Sequence, residues 1–258
     1  MQVHVLASGS SGNAVYFQMG KTRILIDAGI TARRIEQGLD KVGVKASELD
    51  AILVTHEHLD HVKGIDVLVR RHHIPVFARP KTWEMIKCRD NLPSNCVKCL
   101  DSDLELPDMY IKPFPISHDA VDPVGFCLYN QNRKYVLATD LGVVTEVVED
   151  AINMADLVIL ESNHDLAMLR NGSYPRFLKK RIESCEGHLS NVEAGQLLAK
   201  VNKKPNMSVF LAHLSQENNM RHVAENTVTH ILKESGCVVG EDIILHRTYP
   251  NTISSFIA

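Results

Sequence analysis

Short runs of apolar and β-branched residues recur along the chain, each closed by Gly, Asp, Asn or Pro, and they predict strands. These runs are Val3–Ala7, Ala14–Gln18, Arg23–Ile26, Ala51–Thr55, Val76–Ala78, Tyr110–Phe114, Gly125–Tyr129, Lys134–Ala138, Leu157–Leu160, Ser208–Ala212 and Ile243–His246. Helical spacing of apolar positions predicts helices over Thr31–Val42, His61–His72, Lys81–Asp90, Val143–Ala155, Tyr174–Ser184, Asn191–Val201 and Arg221–Ser235. The early strands follow one another as hairpins, whereas the later ones alternate with helices as crossover units do. The expectation is a mixed α/β (α+β) fold whose helices cover a large core. One helix start is explicit. Ser190-Asn-Val-Glu193 forms a capping box, and Val192, Leu197, Leu198 and Val201 follow at broadly helical spacing. His188 precedes that cap by two residues, beside free N–H groups and the positive end of the helix dipole.

Composition narrows the class without choosing a function. A chain of 258 residues, 45% hydrophobic and 23% charged, has enough apolar surface for a real core and is not generally disordered. No repeat, low-complexity tract or linker divides it, so a single domain over 1–258 is expected. A net charge of −3 excludes attraction of the whole molecule to a polyanion or an anionic membrane, so any such binding needs a local patch. No apolar run is long enough to span a membrane, and the N-terminus lacks the basic and apolar regions of a signal peptide. Cytoplasmic localisation with reduced thiols is the expectation, and no obligate protein partner is evident. Cys88, Cys96 and Cys99 could form a three-thiol zinc group, but no fourth ligand stands out, and ordinary cysteines are the preferred reading.

The chemistry gathers at strand ends. The run Ala-Ile-Leu-Val-Thr leads into His56-Glu-His58-Leu-Asp60-His61, Tyr-Val-Leu-Ala-Thr into Asp140, and Leu-Val-Ile-Leu into Glu161-Ser-Asn163-His164-Asp165. Ser-Val-Phe-Leu-Ala leads into His213, and Phe-Pro-Ile-Ser into His118. A lone His after a strand means little. Five such ends in one chain point to a site, because rigid scaffolds present functional groups there. In an extended segment His56, His58 and Asp60 would point the same way, and a turn would bring His61 round. Imidazole with carboxylate suits zinc, manganese or iron. The spacing is not the helical H-E-x-x-H pattern, because Asp60 stands where the second His would be.

The run Ile24-Leu-Ile-Asp27-Ala-Gly29, then Thr55-His-Glu-His-Leu-Asp-His61, then His118, Asp140 and His213, resembles the metallo-β-lactamase superfamily in motif order. That resemblance implies a four-layer αββα sandwich with two divalent metal ions. It implies that His56, His58 and His118 bind one ion, that Asp60, His61 and His213 bind the other, and that Asp140 bridges them. Asp27 would support the ligands from behind. Ser8-Gly-Ser-Ser-Gly-Asn13, Glu161-Ser-Asn-His164-Asp165 and Gly187-His-Leu-Ser-Asn191 resemble the YycJ (WalJ) subgroup of bacterial metal-dependent DNA exonucleases, which implies 5′-to-3′ removal of nucleotides.

Local features favour a phosphodiester substrate over the superfamily's other substrates. The opening turn, with Ser10 and Asn13, offers donors for an oxyanion or phosphate. His188, Ser190, Asn163 and His164 are further candidate substrate contacts. His188 and His164 are also candidates to protonate a leaving alkoxide, and Asp60 to orient the attacking water. Residues 170–188 carry five basic against two acidic residues and lead directly to His188, as a polyanion would require. The first reading is a binuclear hydrolase using a metal-bridging hydroxide, with nucleic acid as partner and DNA favoured over RNA. A small-molecule hydrolase of a cyclic phosphodiester, thioester or lactone is the alternative. A non-catalytic, metal-stabilised nucleic-acid-binding or regulatory module is the third reading.

Overall fold

Each predicted strand run forms a strand in the computed structural model, which describes residues Met1 to Ala258. The first sheet contains β1 (Gln2–Ala7), β2 (Ala14–Met19), β3 (Thr22–Ile26), β4 (Ala51–Leu53), β5 (Val76–Ala78) and β6 (Val97–Cys99). The second contains β7 (Leu104–Leu106), β8 (Met109–Pro115), β9 (Val124–Asn130), β10 (Arg133–Ala138), β11 (Leu157–Glu161), β12 (Met207–Ala212) and β13 (Ile243–Arg247). The last strand, β14 (Ser254–Ile257), returns to the edge of the first sheet, whose order is β14-β1-β2-β3-β4-β5-β6; the order of the second is β13-β12-β11-β10-β9-β8-β7. As the pattern predicts, β1, β2 and β3 pair antiparallel, while β10 to β13 pair parallel in register.

Two compact units make up the chain. One comprises Met1–Lys112, Ala120–Val124 and Tyr249–Ala258, and the other Pro113–Asp119 and Gly125–Thr248. In the first, α1 (Ala32–Lys41), α3 (Ile65–His72) and α4 (Pro80–Met85) pack Ile35, Leu39, Leu68 and Trp83 onto Tyr16, Leu25, Ile52 and Val76; the short α2 (Leu59–Val62) precedes α3. In the second, α5 (Glu146–Ile152), α8 (Asn191–Lys200) and α9 (Arg221–Glu234) cover Val136, Val158 and Val209; α6 (Leu166–Asn171) and α7 (Arg176–Ile182) lie between β11 and α8. Alternate residues such as Phe17, Ile24 and Leu53, or Tyr135, Ile159 and Phe210, are equally buried. Both sheets are therefore buried on both faces, and this is why their strands read as continuous apolar runs.

Three departures from the pattern have local causes. The edge strands β6, β7 and β14 were not predicted, because their burial is only partial and their apolar signal correspondingly weak. The expected helix His61–His72 is two helices. Gly64 breaks it by approaching the loop after β3 so closely that a Cβ there would stand 2.4 Å from the Ile30 carbonyl oxygen, while its N–H donates to the Ala28 carbonyl. The segment after His58 is not extended either. His58 is the N-cap of α2, so Asp60 and His61 are helical. Helical geometry, rather than strand alternation followed by a turn, sets their directions.

Candidate metal centre

Within the first unit the chemistry starts at Asp27, directly after β3. Its carboxylate accepts the Thr55 backbone N–H at 2.9 Å, the Thr55 hydroxyl at 2.9 Å and His61 Nδ1 at 2.8 Å. The Thr55 hydroxyl in turn receives Nδ1 of His56 at 3.0 Å. Backbone bonds tie the same parts together: Ala28 donates to the His61 carbonyl, and Asn13 to that of Asp60. Gly29 is required here, because a Cβ would fall 1.5 Å from the Asp60 oxygen. The imidazoles of His56 and His61 are 4.1 Å apart, and those of His56 and His58 are 4.6 Å apart. His56 and His61 have no solvent exposure. Nδ1 of His56 and Nδ1 of His61 are each engaged by a buried oxygen, which sets the orientation of both rings.

In the second unit Glu161, the last residue of β11, has the corresponding role. One carboxylate oxygen accepts Nδ1 of His213 at 2.8 Å, Nδ1 of His188 at 2.9 Å and the Asp140 N–H at 3.2 Å. The other accepts the N–H groups of Leu141 and Leu189. Burial opposes the charge on Glu161, but the contacts with His188 and His213 more than offset it and hold the acid well below the usual carboxylate range. Ligand atoms of Asp140, Glu161, His188 and His213 lie within 4.8 Å of one another. His118 donates Nδ1 to the Gly187 carbonyl at 3.2 Å, and its Nε2 is 3.7 Å from Asp140. Burial pushes the His118 imidazolium below its ordinary range, with Asp140 acting in the opposite sense.

These contacts fix tautomers. A carboxylate or carbonyl can only accept, so His61, His118, His188 and His213 each donate from Nδ1, and Nε2 is the ring nitrogen left to face other groups. The amide of Asn13 donates to His61 Nε2 at 3.2 Å, as that assignment requires. Imidazoles oriented by buried oxygens, with carboxylates beside them, are a donor set that fits zinc, manganese or iron. Strain marks the same places. Asp27, Asp140 and His213 adopt left-handed backbone with φ of 60°, 62° and 54°, within two residues of strand ends. For a non-glycine residue this conformation costs about 1–3 kcal/mol and persists where the surroundings impose it.

The remaining candidates divide. Asn13 donates toward Asp60 and His61, which makes it a support for the loop. Ser10 is exposed in the opening turn. Asn163 holds the His213 carbonyl at 2.8 Å. Ser190 forms the expected capping box, with its hydroxyl bonded to the Glu193 carboxylate, and lines the cavity that holds His164 and His188. His164 is 1% exposed, its Nδ1 has no hydrogen-bond partner, and burial lowers its pKa. With Arg170 and His188 it lines a cavity of about 310 Å³. Cys88, Cys96 and Cys99 do not assemble as a ligand group, and burial pushes the Cys88 and Cys96 thiols up, away from the thiolate a zinc ion needs. The residue that sequence reading missed is Glu161. Its signal was an acid ending a fully apolar strand.

The basic segment is also partly committed. Lys179 donates to the carbonyls of Arg170 and Gly172, and Arg181 pairs with Asp119. Arg176, Phe177 and Lys180 remain exposed. No helix is long and apolar enough to cross a membrane.

The chain is 38% identical over 249 residues to exodeoxyribonuclease YycJ of Bacillus anthracis, covering 95% of this chain and 94% of that one. It is 35% identical over 253 residues to exodeoxyribonuclease WalJ of Streptococcus pneumoniae, covering 96% and 94%. The solved metallo-β-lactamase fold protein YhfI from Bacillus subtilis superposes with a TM-score of 0.69 at 17% identity, over 99% of this chain and 98% of that one, a likeness of fold. The pattern of the β-lactamase superfamily domain matches residues 22–213, a span from β3 to His213 that takes in both sets of oriented histidines, and the chain belongs to that family.

Proposed function

We propose that the chain is a metal-dependent exodeoxyribonuclease that acts as one hydrolase domain. The observation that carries this reading is the five-bonded Glu161, which orients both His213 and His188. The family match and the two exodeoxyribonuclease relatives support it. His56, His58, Asp60, His61, His118, Asp140 and His213 are the residues that would hold two divalent ions, with Asp140 serving both. Bound there, the ions supply Lewis acidity and an activated water.

The chain's own groups do the rest. Asp27 and Glu161 keep protons on Nδ1 of His61 and His213, so each presents Nε2. Asp60 orients the attacking water. His188, the least buried of the Glu161 partners, delivers a proton from Nε2 to the leaving alkoxide, while Glu161 stabilises its imidazolium. His164 offers its unpartnered Nδ1 to a phosphate oxygen from the wall of the adjoining cavity.

The test is incubation of the purified protein with end-labelled DNA and RNA, with zinc, manganese and magnesium added separately. Stepwise shortening of DNA is the expected result, and the labelled end that disappears first reports polarity. Hydrolysis confined to small phosphodiesters, thioesters or lactones would replace the nuclease reading with the small-molecule one.

A further inference from the structure

A second cavity, of about 410 Å³, opens in the first unit beside the histidine loop and includes His58 in its wall. Leu59, Val62, Met85 and Ile86 supply its apolar lining. Leu59 is 69% exposed and Met85 55% exposed, so two large apolar side chains stand in water within one residue of the loop's ligand positions or across the cavity from them. Folding does not account for them, and paired exposed apolar groups around a concavity mark a binding surface. Lys63 and Lys87 stand at the same cavity and neither has an ion-pair partner. The acids there are less available to repel an anion. Asp66 is held by Arg70 at 2.7 Å, and one oxygen of Glu57 accepts the Val121 N–H at 2.9 Å. The second Glu57 oxygen is buried and has no hydrogen-bond partner.

An apolar slot with cations at its margin and one unused acceptor matches a particular chemistry. A nucleobase has apolar faces, N–H groups on its edge and a phosphate on either side. We propose that this cavity seats one nucleobase of the substrate strand between Leu59 and Met85, with Glu57 accepting from the base edge and Lys63 and Lys87 meeting the flanking phosphates. This deepens the nuclease reading and rests on it. A seat that grips the base by its faces tolerates sequence, as an exonuclease requires.

The experiment compares Met85→Ser and Lys87→Ala with the unaltered protein, each carrying its metal. Met85 is exposed, so its substitution leaves folding intact, which circular dichroism verifies. The probes are fluorescent single-stranded phosphorothioate DNA, for binding without cleavage, and matching oligonucleotides with an abasic residue at the 5′ or the 3′ end. Met85→Ser is expected to weaken binding of normal DNA and raise KM roughly tenfold, the scale of one methionine-sized apolar contact, with kcat little changed. Abasic DNA should bind the unaltered protein about as weakly and lose nothing more in Met85→Ser, the non-additivity expected of direct partners. Lys87→Ala should lower the salt slope of binding by about one. Equal losses on normal and abasic DNA, or none on either, would overturn the seat while DNA degradation by the unaltered protein left the nuclease reading standing. An unaltered protein that neither binds nor shortens DNA would overturn both.

Discussion

Glu161 receives the Nδ1 proton of His213 at 2.8 Å while its own side chain has no exposure to solvent. In the other unit Asp27 receives that of His61 at 2.8 Å, 3% exposed. Each unit has thus placed a charged group in its interior, a costly choice unless every lone pair is used. In both cases the carboxylate also binds backbone N–H groups at a strand end, so the orienting group and the loop it orients are one construction.

Glu161→Gln is the sharpest test of that construction. The amide keeps the shape but presents a donor to one of its partners and cannot neutralise an imidazolium. Metal affinity should fall by about 10- to 100-fold, as for other outer-shell partners of ligating histidines. Isothermal titration with zinc or manganese reads it, and unaltered affinity would reduce Glu161 to a backbone clamp.

Elemental analysis of protein purified without chelator should approach two equivalents of metal per chain. His58→Ala should lose metal and activity together. Asp140→Ala should be at least as harmful, since in the proposed ligand set Asp140 would serve both ions. A fully active, metal-free protein would falsify the ligand assignment.

His188→Ala separates proton delivery from ligation. Turnover of DNA should drop by about 10²–10⁴ with both metals retained. A nitrophenyl phosphodiester, whose leaving group needs little protonation, should be affected much less. Metal loss would instead make His188 a ligand, and equal losses on both substrates would indicate positioning.

On α7 the basic residues should divide by their contacts. Lys179→Ala removes bonds to two carbonyls and should lower the melting temperature. Arg176→Ala with Lys180→Ala, both exposed, should spare stability and reduce the salt slope of DNA binding by about two. No change in slope would leave α7 a solvated face.

Asp156 makes stability pH-dependent. Burial opposes its charge, but Lys204 at 2.6 Å, the Lys134 N–H at 2.8 Å and Arg133 at 3.1 Å outweigh it, and its pKa lies below the ordinary value. A depressed acid stabilises the fold above its unfolded pKa and loses that contribution as pH falls through its folded one. Asp156→Asn should therefore cost about 1–3 kcal/mol at neutral pH and progressively less in acid, below about pH 4, when urea melts are compared.

The sequence by itself determined the strand runs, the α8 capping box and the His56–His61 cluster, because period, cap and spacing are properties of neighbouring residues. It carried the family as well, since the motifs stand in order along the chain. Tertiary structure decided the rest. The break at Gly64 depends on carbonyls of Ala28 and Ile30, more than thirty residues away in sequence. Glu161 looked like one more strand-end acid, and its role exists only because β10, β12 and the loop before α8 converge on it, bringing partners 20 to 52 residues distant to two oxygen atoms. A buried charge is defined by what surrounds it in space, and that is information no local pattern contains.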